Sequence, residues 1–583
     1  MTYLDKINSP ADIKNFKLPE LEALSDEIRA AILNRDSKIG GHVGPNLGIV
    51  ETTVALHYVF DSPRDKIVYD VSHQCYPHKI LTGRKDGFIN GEKFSEISGY
   101  TNPAESEHDF FIVGHTSTSV SLACGLAKAR DLKNEKNNII ALIGDGSLSG
   151  GEALEGLSNA AVLNSNIIII VNDNEMSIAE NHGGIYANLH LLRQTGGKAE
   201  CNMFKVLGFD YLYVEEGNSV ARMVETLSQV KDTPRPTVVH IHTQKGKGWQ
   251  PAEDNREKWH WNLPFDIKTG ENTVTFDNSE NYNDITFNYL NNRLKSDKDI
   301  VVISAGTPGA FGFTPEKRRQ LGQNYVDVGI AEEHAVAFSS ALAKGGCKPV
   351  FCVWSSFVQR TYDQLSQDLA INNNPAVILV FSGGISGMDA THLGCFDIPL
   401  ISNIPNIVYL APATKQEYLS MLEWGLEQTK HPVVIRVPAT VISASEKVDT
   451  NYDKLNTSQI VRQGSEVAIL ALGSFFSLGQ QVADSLRLHG IEATLVNPRY
   501  ITGLDEQLLN RLKQDHRIVV TLEDGVLDGG FGEKVARFYG TDDIKVLNRG
   551  ARKEFTDRVP LEQLYRRYRL TPEQITADIL ALR

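Results

Sequence analysis

Two short polar segments limit the chemistry this chain can do. Gly144-Asp145-Gly146 follows the apolar run Ile139–Ile143, and Asn172-Asp173-Asn174 follows the apolar run Ile167–Val171. Apolar runs of this length read as buried strands, so both polar segments fall where open α/β sheets bind ligands, at strand carboxyl ends. Glycines let a backbone approach a phosphate closely, and N–H groups at the start of a following helix face the anion. Asp145 and Asn174 offer two side-chain oxygens. With a backbone carbonyl and diphosphate oxygens they would complete an octahedral Mg²⁺ site. Taken singly, Gly-Asp-Gly is a plain turn and Asn-Asp-Asn a plain loop; the pair at neighbouring strand ends points to a metal-bridged diphosphate.

Positioning such a pair requires a parallel sheet. The chain alternates apolar strands with helices, which argues sheets covered on both faces. Helical spacing joins Leu21, Leu24, Ile28 and Ile32 after Pro19. Strands are expected at 67–71, 139–143, 167–171 and 237–242, with helices at 117–130 and 150–163. After a polar linker the pattern restarts, with strands at 300–304, 325–328, 349–353 and 376–381 and helices at 332–344 and 358–371. A second polar stretch, Ser443–Ser458, precedes a third unit with strands at 467–472, 493–497 and 518–522. The expectation is three doubly wound α/β domains, at 1–270, 285–445 and 459–583, with 271–284 as linker.

The chain has 583 residues, suited to about three or four domains. Its 58 Lys+Arg against 72 Asp+Glu give a net charge of −14. That acidity argues against nucleic acid, which needs a basic patch. A bound anion must therefore rely on backbone N–H groups, a metal, or local cations such as Lys245 and Lys247. Six scattered cysteines without a close pair argue against a disulfide scaffold and suit a reducing cytoplasm. The N-terminus lacks an apolar signal core, and no run approaches the roughly 18 residues of a membrane span.

Longer stretches carry more. They include Gly40-Gly41-His42, Asp70–Gly83, Gly114–Ser119, Asn172–Ile178, Lys245–Gly248, Ala331–Val336, Phe357–Gln364 and Thr391-His392. On these the chain resembles, nearly end to end, the 1-deoxy-D-xylulose-5-phosphate synthase family of the transketolase superfamily. Gly-Asp-Gly followed one strand later by Asn is that superfamily's thiamine diphosphate signature. The resemblance implies two thiamine-diphosphate-binding domains plus a C-terminal transketolase-type domain, and thiamine diphosphate with Mg²⁺ as cofactors. Asp145, Asn174 and Met176 would hold the metal. His73, Gly114, His115 and Thr116 would line the diphosphate and thiazolium, with Gly146, Ser147, Asn174, Lys245 and Trp249 also binding cofactor. Phe357 would stack on the pyrimidine ring. Glu332, otherwise an acid complementing a helix dipole, would hydrogen-bond that ring so that the cofactor becomes its own base.

His42, His260 and His392 would face donor and acceptor, donating to developing charge or moving protons. Asp389 would meet a sugar hydroxyl. The implied reaction decarboxylates pyruvate and ligates the two-carbon unit to glyceraldehyde 3-phosphate. A cytoplasmic homodimer serving isoprenoid and thiamine biosynthesis follows from the same resemblance, with small molecules as partners and no nucleic acid or membrane.

The sequence also departs from the family. Ser382 and Ala439 stand where the family grips the acceptor phosphate with arginines, leaving Arg360 and Arg436 as substitutes. Glu333 replaces Gln, Trp249 replaces Tyr, and the 94–100 loop (FSEISGY) lacks the family's Arg-Gln. The segment between Asn181 and Phe204 is shorter by roughly thirty residues, in a length class where loops are functional or mobile. Two alternatives therefore stay open: transketolase-like ketol transfer, or ligation to another, unphosphorylated acceptor. A third, of a different class, is a catalytically idle regulatory or scaffolding homologue.

Overall fold

β-Branched runs bounded by polar turns form strands in three separate sheets. The computed structural model describes residues 2–274, 280–443 and 448–583. The first sheet holds β1 (Lys66–Tyr69), β2 (Ile139–Gly144), β3 (Ile168–Asp173), β4 (Asp210–Val214) and β5 (Thr237–His242) in the order β1-β2-β3-β5-β4, all parallel. Side chains alternate between its faces. Ile140, Leu142, Ile168 and Ile170 enter one core, while Ile139, Ala141, Ile143, Ile169 and Val171 enter another. Both faces are thus buried, which explains why these strands read as unbroken apolar runs.

The second sheet comprises β6 (Ile300–Ser304), β7 (Tyr325–Asp327), β8 (Lys348–Trp354), β9 (Val377–Phe381), β10 (Val408–Leu410) and β11 (Val433–Arg436). Its order is β10-β11-β9-β8-β6-β7, again all parallel. The third comprises β12 (Gln459–Arg462), β13 (Glu466–Ala471), β14 (Thr494–Asn497), β15 (His516–Val526) and β16 (Lys545–Ala551), ordered β12-β14-β13-β15-β16 with β12 antiparallel at the edge.

The chain groups into two compact units. One contains the first sheet together with Gly329–Ala331; the other contains the second and third sheets. Within this second unit the two sheets share a core in which Tyr409 and Ile398 meet Leu470, Val496 and Val519. Leu410 also bridges to Tyr500. Part of each expected polar linker, residues 275–279 and 444–447, lies outside the described residues.

One expected helix is broken. Residues 358–371 form a 3₁₀ turn (Val358–Thr361), a short α segment (Tyr362–Gln364) and a π-type stretch (Leu365–Ala370). Thr361 Oγ1 donates to the Val358 carbonyl at 2.7 Å, a side-chain bond that competes with the helical ladder. No helix among the described residues is long and apolar enough to cross a membrane.

Candidate active site

In the first unit, β2 and β3 pair so that Gly144 stands opposite Asn172. The Gly-Asp-Gly and Asn-Asp-Asn segments therefore leave adjacent strands side by side. Asp145 opens a 3₁₀ turn, Asp145–Ser149, and helix Gly151–Ala161 follows. A Cβ on Gly146 would lie 2.9 Å from Ser177 Cα, so the loops after β2 and β3 touch where only glycine fits. Asp145 is 1% exposed, and Asn181 Nδ2 donates to its Oδ2 at 2.8 Å. Burial, reinforced by the nearby Asp173 charge, pushes its carboxyl up to about 8.

Asn174 Oδ1, Ser177 Oγ and Asn181 Oδ1 are buried without a hydrogen-bond partner. Buried acceptors are rarely left orphaned. These oxygens, beside a carboxyl whose ionisation burial disfavours, fit a hard divalent cation and its anion. Lys245 Nζ donates to the Ser177 carbonyl at 2.7 Å, and burial lowers its ammonium to about 7 against the pull of Asp145. Ser147 is buried in the same turn, and Met176 lies in the loop that Gly146 touches.

A histidine cluster lies in the same unit. The His42, His73 and His260 rings are 5.2–5.7 Å apart pairwise, and Tyr100 stands edge-on to His42 at 5.8 Å. Asn46 Nδ2 donates to the carbonyls of both His42 and His73, at 2.7 Å each. Burial pushes the His73 and His260 imidazoles well below their ordinary range, so both are neutral near pH 7. Nδ1 of each has no partner.

The backbone leading into His73 is strained. Val71 and Ser72 have φ of 57° and 61°, a left-handed conformation that a β-branched residue adopts only when its surroundings impose it. Ser72 Oγ does so by donating to the Val113 carbonyl at 2.6 Å and accepting Thr101 N–H at 2.9 Å. Asp70 accepts the N–H groups of Ser117 and Ser119 at 2.8 and 3.1 Å, which anchors the segment carrying Gly114, His115 and Thr116.

In the second unit, Glu332 opens helix Glu332–Lys344 and is 3% exposed. Burial raises its carboxyl to about 7, with Arg360 opposing. Arg360 stands 3.6 Å away, and Glu332 Oε2 accepts no hydrogen bond. The Arg360 N–H donates to the Phe357 carbonyl, so both residues belong to one turn. Phe357 stacks on Trp354 at 5.6 Å and meets His392 edge-on at 5.7 Å. His392 Nδ1 lies 3.1 Å from Asp389 Oδ1. Burial disfavours the Asp389 carboxylate, but bonds from His392 and Thr391 outweigh it and hold the group down at about 2.

Two expected site residues are placed otherwise. Trp249 packs against Trp259 and Phe265 at 4.4 and 5.0 Å and gives its indole N–H to the Ile267 carbonyl. Arg436, expected near the acceptor, is buried and bonded to Asp397 at 2.6 and 3.2 Å and to Asp524. Its guanidinium is already neutralised. Ser382, with φ of 56°, heads the segment beside it. Sequence reasoning missed Asn46, Ser177, Asn181 and Tyr186. The first three lie within or beside the quoted stretches, but nothing in residue type marks Tyr186.

The chain matches three family models: 1-deoxy-D-xylulose-5-phosphate synthase over residues 4–200, the transketolase pyrimidine binding domain over 281–442, and the transketolase C-terminal domain over 456–575. It is 38% identical to a 1-deoxy-D-xylulose-5-phosphate synthase of Caldanaerobacter subterraneus subsp. tengcongensis, covering 99% of this chain and 98% of that one. It is 39% identical to that of Symbiobacterium thermophilum, covering 100% and 95%. Among solved structures, transketolase from Campylobacter jejuni aligns over 97% of this chain and 100% of its own, with 17% identity and a TM-score of 0.45.

Proposed function

The chain belongs to the 1-deoxy-D-xylulose-5-phosphate synthase family, and on that premise we propose that it decarboxylates pyruvate and joins the two-carbon unit to glyceraldehyde 3-phosphate. The family makes it a thiamine-diphosphate-dependent transferase. The observation that carries our reading is the pair of ligand oxygens at adjoining strand ends: Asp145, neutralised by burial, beside an orphaned Asn174 Oδ1. In this reading Asp145, Asn174 and Met176 hold Mg²⁺, and Lys245 with the Gly146-Ser147 backbone balances the diphosphate.

Thiamine diphosphate supplies the acidic carbon that takes up and passes on the two-carbon unit. The chain's residues manage the protons. Glu332, with a carboxyl near 7, can hold or release a proton at Oε2 at working pH. Neutral His73 and His260 each leave Nδ1 open to a hydrogen bond with a bound group. His392 is oriented by the ionised Asp389 to donate toward the acceptor. His42 joins the donor side, and Phe357 offers the stacking face. The same reading carries a cytoplasmic homodimer feeding isoprenoid and thiamine precursors.

A second reading is favoured by one observation. Arg436 is committed to Asp397 and Asp524, and Ser382 and Ala439 carry no charge. A phosphate gripped by arginine gains roughly 1.5–3 kcal/mol per charge-assisted bond. Without that grip an unphosphorylated aldehyde, or transketolase-like ketol transfer, becomes competitive. Steady-state kcat/KM with pyruvate and either glyceraldehyde 3-phosphate or glyceraldehyde, with product identification, separates the two. A strong preference for the phosphate ester removes the second reading. No CO₂ from pyruvate in the presence of Mg²⁺ and thiamine diphosphate, and no ketol transfer, would sink both.

A further inference from the structure

We propose that Tyr186 is a positioning residue for the metal corner, and that the helix it heads, Ile185–Gln194, clasps both ligand-bearing loops. The proposal rests on the Mg²⁺–diphosphate reading above. Tyr186 Oη lies 3.1 Å from the carbonyl oxygen of Asp145 and 3.1 Å from that of Gly146, its one proton shared between them. Ser149 Oγ donates to the same Gly146 carbonyl at 2.8 Å. Two consecutive carbonyls of the Gly-Asp-Gly turn are therefore held on the side facing the helix.

A trans peptide points its C=O and N–H in opposite directions. Holding these carbonyls against Tyr186 turns the N–H groups of Gly146 and Ser147 the other way. That is the orientation a backbone nest needs to meet an anion. It also keeps the two carbonyl dipoles from facing the diphosphate charge.

The same segment reaches the other ligand loop. Asn181, just ahead of the helix, donates to Asp145 Oδ2 at 2.8 Å. At the far end Arg193 donates to Asp173 Oδ2, the residue before Asn174. His240 Nε2 meets that oxygen at 2.9 Å from β5. One ten-residue helix thus grips the backbone beside the first ligand and the side chain beside the second. Partners one bond removed from a metal ligand commonly set metal affinity by 10–100-fold.

Metal-stripped full-length protein, saturated with thiamine diphosphate and titrated with Mg²⁺, tests this by tryptophan fluorescence or calorimetry. Tyr186→Phe keeps the ring and removes the proton. It should raise the half-saturating Mg²⁺ concentration about ten-fold while leaving the melting temperature of the stripped protein in place. Arg193→Met should raise it as well. Unchanged half-saturation in Tyr186→Phe overturns the proposal, and so does a lowered melting temperature with unchanged half-saturation. If the wild type shows no saturable response to Mg²⁺ in the presence of thiamine diphosphate, the underlying cofactor reading fails and carries this one with it.

Discussion

Glu332 combines burial, an oxygen that accepts no hydrogen bond although Arg360 stands 3.6 Å away, and a carboxyl raised from 4.5 to about 7. An acid raised on folding binds more protons in the native state, so stability falls as pH rises. Below about pH 4 both states are protonated and nothing is lost. Between 4.5 and 7 the unfolded chain ionises first, and a penalty of about 3 kcal/mol accumulates. Glu332→Gln removes it. The melting temperature of the cofactor-free variant should therefore gain on wild type between pH 5 and pH 8; an advantage that stays flat across that range contradicts the raised carboxyl. The same change should lower kcat by roughly 10²–10⁴-fold, the usual contribution of a positioned acid or base. Thiamine diphosphate affinity should hold if, as proposed, the Mg²⁺–diphosphate corner rather than Glu332 carries it. Retained turnover would take the proton role away from Glu332.

At the scale of elements, what could be read from the sequence was whatever depends on neighbours along the chain. Asp145 and Asn174 were legible because apolar runs on both sides place them at adjacent strand ends, and the pairing of Gly144 with Asn172 follows from a parallel sheet. Tyr186 was not. Its contact depends on where helix Ile185–Gln194 docks, and helical periodicity says nothing of that. Trp249 was expected on the cofactor because it follows the Lys245–Gly248 stretch at a position where the family carries Tyr, yet its ring packs against Trp259 and Phe265. The contact between the two ligand loops is itself testable. Gly146→Ala puts a methyl 2.9 Å from the Ser177 backbone, so the loops must part. Since a misplacement of about 1 Å can cost on the order of 10²-fold in a positioned site, Mg²⁺-dependent cofactor uptake should weaken by at least ten-fold. Uptake equal to wild type would mean that the loops can part without disturbing the ligands.

At the scale of the whole molecule, the second and third sheets fold as one unit although a polar stretch separates them in sequence. Apolar packing accounts for most of that union, but one ionic knot spans it. Arg436 ends β11 of the second sheet, Asp397 begins helix Asp397–Ser402, and Asp524 belongs to β15 of the third sheet. Tyr409 donates to Asp397 at 2.5 Å, and Ser474 donates to Asp524. A charge eighty-eight residues from its partner leaves no local trace in the sequence, which is why Arg436 looked available to substrate. Removing one member of a buried knot strands the others, typically at 3–5 kcal/mol. Arg436→Met leaves Asp397 and Asp524 facing one another in a dry site. Its melting temperature should fall by on the order of 10 °C, and Arg436→Lys, which keeps charge but loses the planar fork, should fall less. In the surviving folded fraction, KM for glyceraldehyde 3-phosphate should match wild type, because the guanidinium was never free to meet a phosphate. A raised KM with an unchanged melting temperature would reverse the assignment and return Arg436 to the acceptor.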